Sequence, residues 1–338
     1  MKKLLSGIPA SVLDLATIVE GETPADAFKR SLDLAKLTEQ LGYLRYWFAE
    51  HHNMESVASS ATAVLIGYIA GNTSTIRVGS GGVMLPNHAP LIIAEQFGTL
   101  ESLYPQRIDL GIGRAPGTDP VTSFALRRNL KNDVDEFPND VVELINYLQP
   151  KDSTARVRAI PGEGSQVPVW LLGSSTYSAQ LAAMLGLPFG FASHFAPTYL
   201  LDALDIYRSQ FKPSQFLKEP YALACVNVIA ADTDKDANYL ATSFYQMALG
   251  MFRNKRRPLP RPIDTMNGIW TEQEQAAIQH MTHYAFIGSP STVQKGLQDF
   301  LSTTGVDEIM VTSHIYSLYA KKRSYELIAP FFKTNTSE

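Results

Sequence analysis

The sequence predicts an α/β fold, a (β/α)8 TIM barrel with insertions after strand four, before strand five and before strand eight. Eight segments rich in β-branched and aromatic residues recur along the chain, and nearly every one is followed by a helix-like segment. One of them, 167–172, is apolar almost without interruption, as a parallel strand covered on both faces should be. Such a barrel holds its chemistry in the loops that follow the carboxyl ends of its strands.

The elements of this barrel can be assigned in chain order. The strands are expected at residues 8–18, 43–48, 76–85, 107–112, 167–172, 188–195, 221–231 and 308–315. The helices are expected at residues 25–41, 58–69, 91–104, 141–148, 178–185, 199–211, 236–249 and 322–329. The first helix has the clearest start, because Thr23 can cap it, Pro24 suits its first position and Asp26 lies in its first turn.

Chain length and loop lengths indicate one domain, 1–338. The 338 residues exceed a minimal barrel of about 250 residues but leave little room for a second full domain. Three connections, 115–138, 150–166 and 250–284, are longer than ordinary βα loops, and long loops are commonly lids or mobile segments. We expect 250–284 to be a mobile lid insertion. Its basic residues suit either a solvated loop or a lid that recruits anions: Arg253, Lys255, Arg256, Arg257 and Arg261.

Composition limits the classes of partner. Hydrophobic residues make up 45% of the chain, and the formal net charge of −4 gives no nucleic-acid signature. The single cysteine, Cys225, excludes an intramolecular disulfide and suits a reducing compartment. No run approaches the roughly 18 consecutive apolar residues of a membrane span. We therefore expect a cytoplasmic protein that binds neither nucleic acid nor a membrane.

Ionisable side chains follow strand two, where a barrel would place its site. They are Glu50, His51 and His52. Adjacent residues leaving a strand point to opposite sides, so the two histidines are poorly placed to share one ion, and we expect no metal. We expect one imidazole to face a substrate or cofactor as hydrogen-bond donor or general base, while the other packs or pairs with Glu50. A structural role for both histidines stays open.

Glycines, an arginine and hydroxyl side chains follow the next strands. Residues 79–82 include three glycines, which mark either a tight turn or a backbone that a flat ligand approaches closely. Arg114 follows strand four. A short run follows strand five and opens a helix: Gly173, Ser174, Ser175 and Ser178. A guanidinium, hydroxyls and the free N–H groups of a helix N-terminus together suit a phosphate, although serine capping explains the serines nearly as well.

Four motifs resemble those of the bacterial luciferase-like, flavin-dependent monooxygenase family. They lie at residues 47–53, 79–90, 107–114 and 181–188. More narrowly, the chain resembles the single-chain luciferase-related oxidoreductases of that family. The resemblance extends from strand one through residues 288–290 to the last strand, which is essentially the whole chain.

The resemblance implies a role for each candidate residue. The FMN phosphate would be surrounded by Arg114, Ser174, Ser175 and Ser178, with Gly173 beside them. A non-proline cis peptide is implied at Gly81–Gly82, beneath the isoalloxazine ring. His51 matches the family's active-site histidine, which acts as a base or steadies the flavin-oxygen adduct, and His194 at the end of strand six is a second candidate donor. Gly113 stands where luciferase itself has a reactive cysteine, so light emission is not expected.

The leading hypothesis is therefore a two-component monooxygenase. Reduced FMN, supplied by a separate NAD(P)H:flavin reductase, would react with O2, and the resulting C4a-hydroperoxide would oxygenate a small organic substrate. By resemblance the protein would be a homodimer. The alternatives are a deazaflavin (F420)-dependent hydride-transfer oxidoreductase, a flavin-binding protein without turnover and, more distantly, a metal-dependent barrel hydrolase.

Overall fold

A closed barrel of parallel strands forms the centre of the protein. The computed structural model describes residues 3–115, 117–126, 136–150 and 154–333, and within them nine strands are present. They are β1 (Ala10–Asp14), β2 (Arg45–Phe48), β3 (Arg77–Met84), β4 (Ile108–Gly113), β5 (Val169–Gly173), β6 (Phe189–Phe191), β7 (Ala222–Ala230), β8 (Ala285–Gly288) and β9 (Glu308–Thr312). Strands β1 to β7 and β9 close into a ring, because β6 pairs with β7 and β9 pairs with both β7 and β1. The predicted TIM barrel is confirmed.

Helices flank the strands. In the described residues they are α1 (Pro24–Leu41), α2 (Thr62–Ala70), α3 (Pro90–Leu103), α4 (Pro120–Leu126), α5 (Phe137–Leu148), α6 (Thr176–Leu185), α7 (Leu200–Gln210), α8 (Asp234–Phe252), α9 (Glu272–Met281), α10 (Pro290–Thr304) and α11 (Leu318–Ile328). The start of α1 is as predicted, since the Thr23 hydroxyl accepts from the Asp26 N–H and the Asp26 carboxylate accepts from the Thr23 N–H. None of these helices is long and apolar enough to span a bilayer.

The barrel buries its strands on both faces. Every residue of β4, β7 and β9 is buried, which explains why these segments are apolar almost throughout. Cys225 is a free cysteine inside β7, as a small core side chain would be. The main hydrophobic core lies between the strands and the surrounding helices.

The connection that precedes the last barrel strand differs from our prediction. We treated 250–284 as one insertion, but α9 lies inside it, and β8 and α10 follow before β9 begins. Strand β8 extends the sheet beside the second half of β7, pairing Ala285 with Asn227 and Gly288 with Ala230. The predicted strand 188–195 was also too long, because only Phe189–Phe191 pairs as a strand. Parts of the other two insertions, residues 116, 127–135 and 151–153, lie outside the described residues.

The amino-terminal end of the barrel is filled by buried ion pairs. Arg45 places Nη1 2.7 Å from Asp109 Oδ2 and Nε 3.1 Å from Glu308 Oε1. Arg77 Nη2 lies 2.6 Å from Asp109 Oδ1, and the Trp47 indole N–H donates to the same side chain. The guanidinium of Arg45 also lies 4.8 Å from the ring centroid of Trp170. We call this set the barrel floor; because it fills one end, a ligand has to enter at the other.

Candidate active site

The carboxyl ends of β2 to β6 bring the predicted site residues to one end of the barrel. Strands β3, β4 and β5 end side by side, since Met84 pairs with Gly113 and Gly113 pairs with Leu172. His51 follows β2 directly, and His194 follows β6. The structure therefore places all the predicted catalytic and cofactor-binding residues around the same opening.

A buried carboxylate organises this opening. Glu50 Oε1 lies 2.8 Å from Nε2 of His52 and 2.8 Å from Nε2 of His88, and Glu50 Oε2 accepts the Met84 N–H at 3.1 Å. Burial alone would raise the pKa of Glu50, but the hydrogen bonds from His52 and His88 outweigh it and lower the pKa to about 2. The expectation that one histidine pairs with Glu50 is confirmed, and that histidine is His52. His88, 38 residues along the chain from Glu50, was missed by sequence analysis.

The same cluster has the donors of a metal site. One ligand atom from each of Glu50, His52 and His88 lies within 4.8 Å of the others. Imidazole nitrogens and a carboxylate oxygen are ligands that Zn²⁺ accepts. The two 2.8 Å contacts also have the ordinary length of charge-assisted N–H···O bonds, which need no ion. We had considered a shared ion for His51 and His52; the structure separates these two, because only His52 belongs to the cluster.

Three buried imidazoles follow the carboxyl ends of β2, β6 and β9, and each has a ring nitrogen without a partner among the described residues. Nδ1 of His51, His194 and His314 is buried and finds no hydrogen-bond partner among the described residues. Burial lowers the pKa of His51 to about 4 and that of His314 to about 4. Burial, with smaller contributions from His314 and His51, lowers the pKa of His194 to about 3. The three rings are therefore uncharged at neutral pH, and each offers one nitrogen to a ligand.

His314 was missed by the sequence analysis, although it follows the last barrel strand just as His51 follows β2. Its ring stacks on Phe244 of α8, with ring centroids 5.3 Å apart and an interplanar angle of 9°. Asn227 of β7 belongs to the same opening, because its side-chain N–H donates to the His194 carbonyl at 2.6 Å. Its Oδ1 has no partner among the described residues and adds one acceptor. The opening thus combines neutral polar atoms with aromatic surface.

A stretch of bare backbone lies at the end of β3. The Gly81–Gly82 peptide bond is cis, at the position that the family resemblance implied. A Cβ on Gly81 would stand 2.7 Å from Leu13 Cδ1, and a Cβ on Gly82 would stand 2.8 Å from the Gly111 carbonyl oxygen. Side chains are therefore excluded at both positions by close packing, so that only backbone stands at this point of β3.

Donors that suit an anion lie where β4 and β5 end, and we call this place the anion-binding corner. Ser175 precedes α6 in an extended conformation, its side chain makes no capping hydrogen bond, and the first turn of α6 contains no acidic residue. The Arg114 guanidinium lies 4.0 Å from the ring centroid of Tyr177 in that turn. A Cβ on Gly173 would stand 2.7 Å from Ser178 Oγ, so glycine lets the Ser178 hydroxyl approach the strand end. A guanidinium, hydroxyls and free N–H groups thus meet at one helix N-terminus.

The fold and this end of the strands define a class: a (β/α)8-barrel protein that brings together a corner of anion donors, the Gly81–Gly82 backbone and uncharged imidazoles. The family model for luciferase-like monooxygenases matches residues 10–308. The chain belongs to the luciferase-like monooxygenase family.

Individual relatives cover nearly the whole chain. It is 55% identical over 320 residues to a luciferase-like monooxygenase of Escherichia coli K12, covering 95% of this chain and 96% of that protein. It is 32% identical over 337 residues to the N-acetyl-S-alkylcysteine monooxygenase of Bacillus subtilis, covering 95% and 97%. The crystal structure of apo-MsnO8 is 36% identical and superimposes with a TM-score of 0.86, covering 96% of this chain and 98% of that one.

More distant structures share the fold and differ in cofactor. A type II Baeyer–Villiger monooxygenase from a Pseudomonas putida plasmid, in complex with FMN, is 17% identical with a TM-score of 0.73, covering 96% and 97%. An F420-dependent secondary alcohol dehydrogenase is 14% identical with a TM-score of 0.69, covering 96% and 99%. The fold alone therefore does not choose between FMN and F420.

Proposed function

We propose that the protein is an FMN-dependent, two-component monooxygenase that oxygenates a small organic substrate. The observation that carries this proposal is the pairing of two features at the open end of the barrel. The anion-binding corner of Arg114 and α6 stands at the ends of β4 and β5, and the Gly81–Gly82 backbone belongs to the neighbouring strand β3. A mononucleotide with a phosphate at one end and a flat ring at the other suits that pair.

Each side of the opening has its own part in this proposal. Arg114, Ser174, Ser175 and Ser178 would hold the phosphate, and Gly173 would let the hydroxyls approach it. The Gly81–Gly82 backbone would carry the ring system. When bound, reduced FMN would supply the activation of O2, with one oxygen atom passing to the substrate.

The imidazoles would manage protons without adding charge. His51 and His194 are neutral at pH 7 and have an unpartnered Nδ1, so each would donate or accept one hydrogen bond at the reacting atoms. His314 would do the same from the side of β9, held in orientation by its stack on Phe244. Glu50 would act indirectly, by fixing His52, His88 and the Met84 backbone beside the glycine surface.

The segment 250–284 would exclude water as a lid. Leu259 is buried and exchanges backbone hydrogen bonds with Ile18 and Glu20, next to the end of β1. On the opposite side, His280 of α9 makes a 3.1 Å hydrogen bond with Thr198 in the loop after β6. The segment therefore reaches two sides of the opening, which is what a cover must do to protect a reactive oxygen species. Together with the barrel it would form one domain.

A homodimer would cover the apolar outer faces of α2 and α3. These helices pack side by side, and Val64, Tyr68 and Ile92 are exposed on them. We expect sedimentation to give twice the chain mass, and we expect Val64→Glu combined with Ile92→Glu to give a monomer. Met184→Glu, at an exposed position on α6, is the control that should leave the dimer intact. A monomeric wild-type protein would contradict this part of the proposal.

The remaining partners follow from the reaction class. Reduced FMN would come from a separate NAD(P)H:flavin reductase in the cytoplasm, where both substrates of that reductase are available. The name of the Bacillus subtilis relative makes N-acetyl-S-alkylcysteines the first substrates to test. Oxygenation would then take place at the thioether sulfur or the adjacent carbon.

The proposal is tested by mixing reduced FMN with O2 in the presence and absence of the protein. We expect the protein to delay the release of H2O2, because the closed site keeps water away from the reacting atoms. With a panel of thioethers and ketones, labelled O2 should contribute one oxygen atom to a product. An unchanged time course of peroxide release together with no labelled product would leave a flavin-binding protein without turnover as the better conclusion.

Hydride transfer with F420 is the second candidate. The anionic tail of F420 is longer than that of FMN and needs basic residues beyond Arg114. The observation that favours this candidate is the exposed set of Lys255, Arg256 and Arg257. Competition between FMN and F420 for the protein decides the matter. Tighter binding of F420, together with reduction of a carbonyl substrate by reduced F420, would replace the first proposal with this one.

A further inference from the structure

The segment 253–264 concentrates positive charge at the rim of the opening. It holds five basic residues and one acidic residue, Asp264. Arg253 pairs with Glu274 at 2.7 Å, and the Arg261 guanidinium lies 5.4 Å from the ring centroid of Tyr316. The other three, Lys255, Arg256 and Arg257, are exposed and form no ion pair within the described part of the chain. Their charge is therefore available to a ligand.

Backbone hydrogen bonds connect this segment, through the loop after β1, to the loop after β2 that carries His51. The Leu259 N–H donates to the Ile18 carbonyl at 2.8 Å, and the Glu20 N–H donates to the Leu259 carbonyl at 3.0 Å. The loop after β1 is bonded in turn to the loop after β2, through the Ile18 N–H and the Ser56 carbonyl at 2.9 Å. Within the loop after β2, the His51 N–H donates to the Ser59 carbonyl at 3.2 Å. Arg256, three residues before Leu259, thus lies on the same rim as His51.

The charge of Arg256 reaches His51. After burial, which is the main cause, and against the opposing effect of Glu50, the positive charge of Arg256 helps to lower the pKa of His51. Arg256 therefore lies within electrostatic reach of His51.

The other groups around the opening do not neutralise this charge. Glu50 is buried and committed to His52, His88 and the Met84 N–H. The three imidazoles with free nitrogens are uncharged. Arg114 stands on a different side, against Tyr177 of α6, where the phosphate would bind. A further cation, Lys321, lies 3.5 Å from Asp14 Oδ1 at the end of β1. A cofactor phosphate would account for Arg114, and it leaves Arg256 and its exposed neighbours without a ligand.

We propose that Arg256 binds a carboxylate of the substrate, so that the enzyme oxygenates organic monoanions with the oxidisable atom held near His51. This inference rests on the proposed function and adds the substrate class. A guanidinium can hold both carboxylate oxygens through two parallel N–H bonds, which fixes the direction of the substrate as well as its distance. Lys255 and Arg257 attract the anion towards the rim without contacting it.

The test uses matched acid and amide pairs. The panel consists of N-acetyl-S-alkylcysteines, arylthioacetic acids and ketoacids, each with its primary amide, which keeps the shape and removes the charge. Direct binding to the full-length protein without flavin is measured by equilibrium dialysis. Oxygenation with reduced FMN and O2 is then measured for the pairs. The variants are Arg256→Gln and, as matched control, Arg257→Gln.

At least one acid should bind about tenfold more tightly than its amide, since a hydrogen bond to a charged group contributes about 1.5 kcal/mol or more. This preference should disappear in Arg256→Gln, remain in Arg257→Gln and weaken as salt is added.

Three results would overturn the inference. They are a panel in which no acid binds better than its amide, a preference that survives in Arg256→Gln, and a preference lost equally in Arg257→Gln. The dialysis result separates this inference from the proposed function. If acids bind through Arg256 but peroxide release is not delayed and no product forms, the oxygenase function is wrong and the anion site is supported. If amides are oxygenated as well as acids, the oxygenase function is supported and the anion site is wrong.

Discussion

Glu50 is a single carboxylate that fixes two imidazoles and one backbone N–H. Its pKa is lowered from 4.5 to about 2, so as the pH falls the unfolded chain binds this proton before the folded protein does. The stability that ionised Glu50 provides is therefore complete above the pKa of the unfolded chain, 4.5, and is lost as the pH falls from there to about 2. We expect Glu50→Gln to remove about 3 kcal/mol of pH-dependent stability, measured by urea unfolding across the window.

The exposed Glu55 provides the control for this experiment. Glu55→Gln should keep the wild-type pH dependence of the free energy of unfolding, because this side chain is exposed to solvent in the folded protein. Equal pH slopes for wild type and Glu50→Gln would show that the histidine contacts do not stabilise the ionised form.

His51 is expected to act as a neutral imidazole. Because its pKa lies at about 4, kcat/KM for oxygenation should be flat across neutral pH and should fall only as the pH drops through that value. His51→Gln should lower the yield of oxygenated product at least about 100-fold, the usual contribution of a positioned acid or base. The exposed His283→Gln is the control. A fall in activity as the pH rises through the ordinary histidine pKa, absent in His51→Gln, would mean that the ring works as a cation.

At the scale of elements, β4 and α6 meet at the corner that would bind the FMN phosphate. This role can be tested with a ligand that lacks the phosphate. Arg114→Met should weaken FMN binding by about 10- to 100-fold, the loss of one hydrogen-bonded ionic contact. Riboflavin has the same ring system without the phosphate, so its affinity should be unchanged in this variant. Both affinities can be measured by the quenching of flavin fluorescence. An equal loss for the two ligands would place Arg114 at the ring rather than at the phosphate.

The strands were predictable from the sequence because burial on both faces leaves a local apolar signal. Every barrel strand was found, with errors mainly at the ends, where pairing rather than composition decides the boundary. Strand β8 has only four residues, three of them partly exposed, so its apolar run Ala285–Ile287 is too short to identify a strand. Helix α10 did have a signal, since Pro290 opens it and its buried residues recur at helical spacing: Val293, Leu297, Phe300 and Leu301.

Residues of the candidate site could be predicted from the sequence only where they follow the end of a strand. That rule selected His51, Arg114 and His194, and applied to the last strand it would also have selected His314. His88 has no such signal, because it stands after the turn Leu85–Asn87 and reaches Glu50 only through the packing of β2 against β3. Contacts between distant segments of this kind are set by the fold and leave no local pattern.

At the scale of the whole molecule, the barrel floor joins strands from around the ring at the end opposite the site. Arg45 of β2 lies between Asp109 of β4 and Glu308 of β9, and Tyr221 beside β7 donates to Glu308 at 2.9 Å. Arg45→Met would leave two buried carboxylates without this partner, and we expect the free energy of unfolding to fall by about 3 to 5 kcal/mol.

The same substitution in an exposed ion pair is the control for this prediction. Arg323→Met removes the partner of Asp232 on the surface and should leave the free energy of unfolding nearly unchanged, because exposed ion pairs contribute little. Because the floor and the opening lie at opposite ends of the strands, the folded fraction of Arg45→Met should bind FMN with wild-type affinity. Losses of equal size in the two variants would show that the floor is solvated like a surface pair. Weaker FMN binding in Arg45→Met would show that the floor positions the strand ends as well as closing the barrel.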